Sequence, residues 1–91
     1  MNMRSSANEL YRFVVNARES CAGDSVKSKL DVIMMIDIAI DFASRFDAPM
    51  LLINKLINAK TIMEDARNYS DRLPADRLLS SVLNNELNGF G

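Results

Sequence analysis

The fold is decided by one apolar stretch in the middle of the chain, Ser25–Phe46, which reads SVKSKLDVIMMIDIAIDFASRF. Its spacing is helical, and its apolar residues include Val26, Leu30, Ile33, Met34, Ile36, Ile38, Ile40, Phe42 and Phe46. These positions cover more than one face of a helix, and a helix that is apolar on several sides is buried on several sides. In a chain this small, we expect the additional face to contact another subunit.

The segment before this stretch is also helical. One face of a first helix is formed by Leu10, Phe13, Val14, Ala17 and Cys21. We expect this helix to begin at an N-cap on Ser5 or Ser6 and to end near Gly23. Asp24 or Ser25 is the expected N-cap of the central helix.

Pro49 divides the remaining chain. We expect a third helix from Pro49 to about Tyr69, so close to the central helix that the two could form one kinked element. A last helix follows Pro74 and extends to about Leu87, and no segment alternates at period two. The sequence therefore predicts an all-α fold of three to four helices with a kinked or broken central helix, in a compact homo-oligomer.

The composition limits the size and class of the protein. The 91 residues, which include 11 Lys+Arg and 12 Asp+Glu, allow one domain, 1–91, whose ordered core spans about residues 5–87. A formal charge of −1 argues against DNA or RNA as a partner. The longest apolar run, Val32–Ile36, is far shorter than the roughly 20 residues that span a membrane. With one Cys and no signal peptide, we expect a cytoplasmic protein.

The sequence lacks the usual chemistry of an enzyme. It has no His, and its three Gly residues are too scattered to form a phosphate-binding loop. We interpret Cys21 as structural because it lies on the apolar face of the first helix. Asp37 and Asp41 share a helix face but would hold a hydrated divalent ion weakly at most. The preferred interpretation is an exposed face, or pairing with Arg or Lys of another subunit. We predict a non-enzymatic protein without a metal or cofactor.

A first candidate binding cluster consists of Tyr11, Ser25, Lys27, Ser28 and Lys29. A helix N-terminus attracts anions, Lys adds positive charge, Ser adds a hydroxyl, and a Tyr ring can stack on a base. Alternatively, Tyr11 packs at an interface and the lysines form a solvated cap in which Lys27 pairs with Asp31.

A second candidate cluster consists of Arg67, Asn68, Ser70, Asp71, Arg72, Leu73 and Pro74, at the junction of the last two helices. Arginine recognises phosphate with two parallel hydrogen bonds and can also stack on a base. The alternative is an ordinary polar turn between two helices with solvated charges.

Four stretches covering most of the chain carry a resemblance: NELY to NAR at 8–18, KSKLD at 27–31, EDAR at 64–67 and RLPADRLLSSVL at 72–83. In these stretches the chain resembles a phage anti-CBASS family, whose short helical proteins act as sponges for cyclic oligonucleotides. The resemblance implies a hexamer that sequesters cyclic dinucleotides such as cGAMP in pockets shared by two protomers. The matching positions are Tyr11, for base stacking, and Lys27, near the phosphate. The other residues of the first candidate cluster, Ser25, Ser28 and Lys29, are assigned to the same dinucleotide site.

The resemblance also implies a separate cyclic trinucleotide site where several protomers meet. Its best match here is Arg67, and its weaker neighbours are Ser70, Leu73 and Pro74. Arg72 of the second candidate cluster is assigned to this site as well. The implied function is to block activation of the CBASS effector in the cytoplasm of the infected bacterial host, without degrading the messenger. Two other classes stay open, a small helical oligomeric structural or assembly protein and a protein-binding inhibitor of a host enzyme.

Overall fold

Four α-helices and one short 3-10 turn make up residues 3–90, the part of the chain that a computed structural model describes, with side chains from residue 5 onward. The helices are α1 (Met3–Ala22), α2 (Lys29–Arg45), α3 (Met50–Asp65) and α4 (Leu73–Asn84), and the 3-10 turn is Tyr69–Arg72. The structure is 78% helical and contains no strand within the described residues. The predicted all-α class is confirmed.

The four helices pack as an antiparallel bundle. α1 contacts α2 and α4, and α3 contacts the same two neighbours. Lys29 at the start of α2 contacts Ala66 just after α3, and Asp37 in α2 pairs with Lys60 in α3, so these two helices run in opposite directions. The radius of gyration is 12.0 Å, close to the value of about 12 Å expected for a folded domain of this length.

Each helix contributes one stripe of side chains to a shared core. The buried residues of α2 and α3 are Val32, Ile36, Ala39, Ala43, Leu52, Leu56, Ala59 and Met63. Alanines in both stripes allow the two backbones to approach closely, while the larger residues fill the space between them. After α4, Leu87 is buried and Phe90 packs against the core.

α2 has a second apolar face that the bundle does not cover. Leu30, Met34 and Ile38 follow each other at a spacing of four residues, and they are 68%, 56% and 53% exposed. We call these three residues the exposed α2 stripe. The sequence predicts apolar residues on more than one face of this helix. The structure confirms this prediction, since one apolar face packs in the core and the exposed α2 stripe lies outside it.

The predicted start of the first helix is wrong, and its predicted end is confirmed. α1 begins at Met3, so Ser5 and Ser6 lie inside the helix rather than at its N-cap. Ser6 is buried against the bundle. The helix ends at Ala22, immediately before Gly23.

The predicted start of the central helix is also wrong. α2 begins at Lys29 rather than after Asp24 or Ser25. Its N-cap is Ser28, whose Oγ accepts a hydrogen bond from the backbone N–H of Asp31 at 3.2 Å. The residues before it do not continue the helix, because several of their backbone N–H groups donate to carbonyl groups near the end of α1.

α2 and α3 are two separate helices, as the broken-helix prediction required. Asp47 has a φ of 59°, and Pro49 precedes α3 with extended geometry, so the chain reverses here. The predicted end of the third helix at Tyr69 is wrong, since α3 ends at Asp65. Ala66 takes an extended conformation that directs the chain into the 3-10 turn.

Candidate anion-binding site

Side chains from the 3-10 turn cap the end of α1. The Tyr69 hydroxyl donates a hydrogen bond to the carbonyl oxygen of Ala22 at 3.0 Å. Arg72 Nη1 lies 3.5 Å from the carbonyl oxygen of Cys21, to which it donates. Carbonyl groups in the last turn of a helix have no partner within that helix. The turn therefore stabilises the end of α1.

The loop between α1 and α2 is held against the same turn. The backbone N–H of Lys27 donates to the carbonyl of Ser20 at 2.8 Å, and the carbonyl of Lys27 accepts from Arg72 Nη1 at 2.8 Å. A hydrogen bond from a charged donor is stronger than one between neutral groups. The loop that carries Ser25 and Lys27 is thus fixed beside the second candidate cluster.

Lys29 connects the start of α2 to the end of α3. Its Nζ donates to the carbonyl oxygen of Ala66 at 2.9 Å. The next residue, Arg67, donates its backbone N–H to the Asp71 carboxylate at 2.9 Å, and Asn68 accepts from the backbone N–H of Asp71 at 3.1 Å. These contacts fix the backbone of the turn and place Lys29 beside Arg67.

A groove of about 210 Å³ lies where the α1–α2 loop, the start of α2 and the 3-10 turn meet, and we call it the junction groove. Its lining residues are Val26, Lys29, Ala66, Arg67, Asn68, Tyr69 and Arg72. One lysine and two arginines give this lining a formal charge of +3, and no carboxylate belongs to it. A concave surface of this charge attracts and concentrates anions.

Several donors of the junction groove are available to a ligand. Lys29 uses one of its three N–H groups on Ala66, and Arg72 uses Nη1 on the loop. The guanidinium of Arg67 makes no hydrogen bond or ion pair with the residues that the structure describes, since only its backbone N–H is bonded. The groove therefore combines two anchored cations with one free guanidinium.

A second groove, of about 470 Å³ and more open, lies on the other side of Arg67. We call it the turn groove; its lining residues are Ile62, Asp65, Ala66, Arg67, Ser70, Asp71 and Pro74. Arg67, Ser70 and Pro74, three residues predicted for the trinucleotide site, meet here. Asp65 and Asp71 outweigh the single guanidinium, so this groove attracts an anion less strongly than the junction groove does.

The residues of the first candidate cluster do not meet in one chain. Tyr11 is half-buried against the core, and α1 continues for eleven residues beyond it, a distance of about 16 Å along the helix. Ser25 and Lys27 are exposed in the loop, and Ser28 is the N-cap of α2. Within that cluster, only Lys29 lines the junction groove.

Sequence reasoning missed three groove residues, Val26, Ala66 and Tyr69. Ala66 is buried, whereas Val26 and Tyr69 are about half exposed, at 49% and 50%. The helical pattern predicts Tyr69 in the last turn of a helix, although an aromatic residue inside the polar segment between Arg67 and Arg72 is a signal for a binding role. Leu73, a predicted neighbour of the trinucleotide site, begins α4 and lies outside the lining of both grooves.

Cys21 is not a reactive thiol. It is fully buried, its sulfur lies 3.6 Å from the Met63 sulfur, and burial, assisted by the negative charge of Asp76, raises its pKa to about 11. At neutral pH such a thiol stays protonated, and the thiolate is the nucleophile. These properties support the structural interpretation of Cys21.

The two aspartates with a shared helix face are paired to cations of their own chain, and not to another subunit as the sequence interpretation allowed. Asp37 lies 2.7 Å from Lys60 and raises the pKa of that amine by accepting its hydrogen bond. Asp41 lies 2.8 Å from Arg45. Across residues 3–90 there is no group of three or more potential metal-ligating side chains of His, Cys, Asp or Glu.

No protein-family model, curated protein or solved structure matches the chain. No helix in the described part of the chain has the length and hydropathy needed to cross a membrane.

Proposed function

We propose that this protein is a phage anti-defence protein that binds cyclic dinucleotides and cyclic trinucleotides in the cytoplasm of an infected bacterial host. It keeps these second messengers from the CBASS effector without degrading them. The observation that carries the proposal is the junction groove, where Lys29, Arg67 and Arg72 surround a space lined by no carboxylate. The resemblance to the anti-CBASS family supplies the identity of the anion.

The geometry of the three cations suits a phosphodiester. Lys29 and Arg72 are already held by backbone carbonyls, so a ligand need not immobilise them and loses less side-chain entropy on binding. Arg67 can turn its planar guanidinium toward a phosphate and form two parallel hydrogen bonds. Two fixed charges and one adaptable charge would hold one phosphate of a cyclic ligand.

The proposed mechanism is sequestration rather than turnover. Hydrolysis of a phosphodiester needs a group that activates the attacking water, and this chain has no His. The Cys21 thiol is protonated, and Lys and Arg are poor bases near pH 7. Tight binding of the ground state gives no rate enhancement by itself. The protein therefore acts by mass action.

We propose that the full binding unit is a homo-oligomer, with a hexamer as the state implied by the resemblance. The exposed α2 stripe supports association, because three large apolar side chains in a row favour burial against another surface. Tyr11 and Lys27 are far apart in one chain, and neither lines the junction groove. A dinucleotide held by one phosphate in the groove would therefore contact Tyr11 of a different copy with the half that lies outside it. The trinucleotide site around Arg67 would likewise be completed by neighbouring copies.

Thermal denaturation with added ligand tests the proposal. A ligand at one hundred times its Kd stabilises the folded state by about 2.7 kcal/mol. In a domain of this size that corresponds to a rise in Tm of about 10–20 °C. We expect this shift with a cyclic dinucleotide and with a cyclic trinucleotide.

The matched variants are Arg67→Ala and Arg77→Ala. Arg67 lines the junction groove, whereas Arg77 is exposed on α4 and lines neither groove. We expect the ligand-induced shift to shrink for Arg67→Ala and to persist for Arg77→Ala. A wild-type protein whose Tm is unchanged by every cyclic oligonucleotide would favour a structural or assembly protein, or an inhibitor that binds a host enzyme.

A further inference from the structure

We infer that the junction groove holds one nucleotide unit, with its phosphate against Lys29, Arg67 and Arg72 and its base against the ring of Tyr69. The inference rests on the proposed function in taking the ligand to be a nucleotide, and it goes further in naming the recognised unit and the stacking residue. A free nucleoside monophosphate should then occupy the groove and compete with the cyclic ligand.

Tyr69 is built to present a flat surface at this position. The residue is 50% exposed, and its hydroxyl donates a hydrogen bond to the carbonyl of Ala22 at 3.0 Å. This hydrogen bond fixes the orientation of the ring before any ligand arrives, so stacking costs little conformational entropy. Aromatic rings bind bases through their faces with little preference among bases.

The size of the groove matches one unit better than a whole cyclic ligand. Its volume is about 210 Å³, whereas pockets that enclose drug-sized ligands occupy about 300–1,000 Å³. A cyclic dinucleotide would therefore place one phosphate and one base in the groove and leave its other half outside. The recognised feature is then common to cyclic and linear nucleotides.

The charge of the groove favours a terminal phosphate in particular. A phosphate monoester carries roughly 1.5 to 2 negative charges near pH 7, and each phosphodiester of a cyclic ligand carries one. The groove has a formal charge of +3 from one lysine and two arginines. A nucleoside without phosphate lacks this attraction, and inorganic phosphate lacks the base that Tyr69 would hold.

Tyr11 cannot serve the same groove within one chain. It lies about 16 Å along α1 from the end that Tyr69 caps. Its ring is half-buried against the core, whereas Tyr69 faces the groove. The two tyrosines therefore make separable contributions, and the stacking role at the junction groove belongs to Tyr69.

Calorimetric titration of the full-length protein tests the inference. The ligands are adenosine 5′-monophosphate, guanosine 5′-monophosphate, adenosine, inorganic phosphate and a cyclic dinucleotide. We expect at least one of the two monophosphates to bind and to compete with the cyclic dinucleotide. Adenosine and inorganic phosphate should each bind at least 10-fold more weakly than that monophosphate.

Two substitutions separate the contribution of the Tyr69 ring from that of its hydroxyl hydrogen bond. Tyr69→Phe keeps the aromatic face and loses the hydrogen bond to Ala22, whereas Tyr69→Leu keeps apolar bulk without a π-face. We expect Tyr69→Leu to bind the monophosphate about 5- to 150-fold more weakly, the loss of one base stack. Tyr69→Phe should bind it within about 5-fold of wild type, and circular dichroism checks that both variants fold.

The outcomes distinguish the inference from the proposed function. If the cyclic dinucleotide binds but neither monophosphate does, or if Tyr69→Leu binds normally, the inference is wrong and the proposed function stands. If inorganic phosphate binds as tightly as the monophosphates, the groove is a plain anion site and the stacking role is wrong. If neither cyclic nor linear nucleotides bind, both proposals are wrong.

Discussion

Replacing Arg72 should loosen the junction of α1, α2 and the 3-10 turn. Its Nη1 donates to the carbonyl of Lys27 at 2.8 Å and to that of Cys21 at 3.5 Å. The substitution Arg72→Met keeps most of the aliphatic length of the side chain and removes both hydrogen bonds. It leaves the Cys21 carbonyl, in the last turn of α1, without this partner.

The size of the effect follows from these two bonds. A hydrogen bond from a charged group contributes about 1.5–3 kcal/mol, and the bond to Lys27 lies at the surface, where water partly replaces it. The hydrogen bond to the Cys21 carbonyl is long, at 3.5 Å, and contributes little to the free energy of unfolding. We therefore expect Arg72→Met to lower the free energy of unfolding by about 1–2 kcal/mol, which lowers Tm by about 4–16 °C.

Thermal and urea denaturation followed by circular dichroism measure this change. The control is Arg77→Met, the same chemical change at an exposed position on α4. We expect Arg77→Met to unfold within about 0.5 kcal/mol of wild type. If Arg72→Met were as stable as Arg77→Met, the turn would not stabilise the end of α1, and the account of how the groove is held would be wrong.

Three further predictions concern the core and the surface. Leu56→Ala removes most of a fully buried side chain of α3. It should lower the free energy of unfolding, measured by urea denaturation, by about 2–5 kcal/mol. A loss below about 1 kcal/mol would contradict the packing. Since burial raises the Cys21 pKa from 9.0 to about 11, the unfolded chain loses this proton first, and the free energy of unfolding should fall between pH 9 and pH 11. That fall should be smaller for Cys21→Ala, and an equal fall would contradict the buried thiol. Met34→Asp places a charge in the exposed α2 stripe and should reduce the mass seen by light scattering while helicity is retained; a wild-type mass of about 10 kDa, that of one chain, would refute association.

The sequence was sufficient to predict the four helices and the apolar residues on more than one face of α2. The helical spacing of apolar residues identified all four helices, and Pro49 correctly marked the break between the second and the third. The ends were harder, because they depend on contacts made after folding. α3 stops at Asp65 because Ala66 takes an extended conformation, and Lys29, distant in sequence, donates a hydrogen bond to the Ala66 carbonyl. No local pattern carries that information.

The candidate site, like the helices, could be predicted from the sequence only in part. Chemistry alone selected Lys29 in the first cluster and Arg67 and Arg72 in the second as possible phosphate ligands. The structure brings these three residues, which were expected in separate sites, into one groove. Chemistry alone did not select Tyr69, because the helical pattern placed that residue in the last turn of a helix. It also grouped Tyr11 with the lysines, although the length of α1 keeps them apart within one chain.

The central claim is that the protein retains a cyclic oligonucleotide and leaves it unchanged. The direct measurement uses excess protein with a cyclic dinucleotide and Mg²⁺ or Mn²⁺ overnight, followed by ultrafiltration, denaturation of the retained protein and chromatography of the released ligand. We expect the ligand to be retained with the protein and recovered entirely as the cyclic species. Passage of the ligand through the filter would contradict binding, and accumulation of linear dinucleotide would show that the protein is an enzyme.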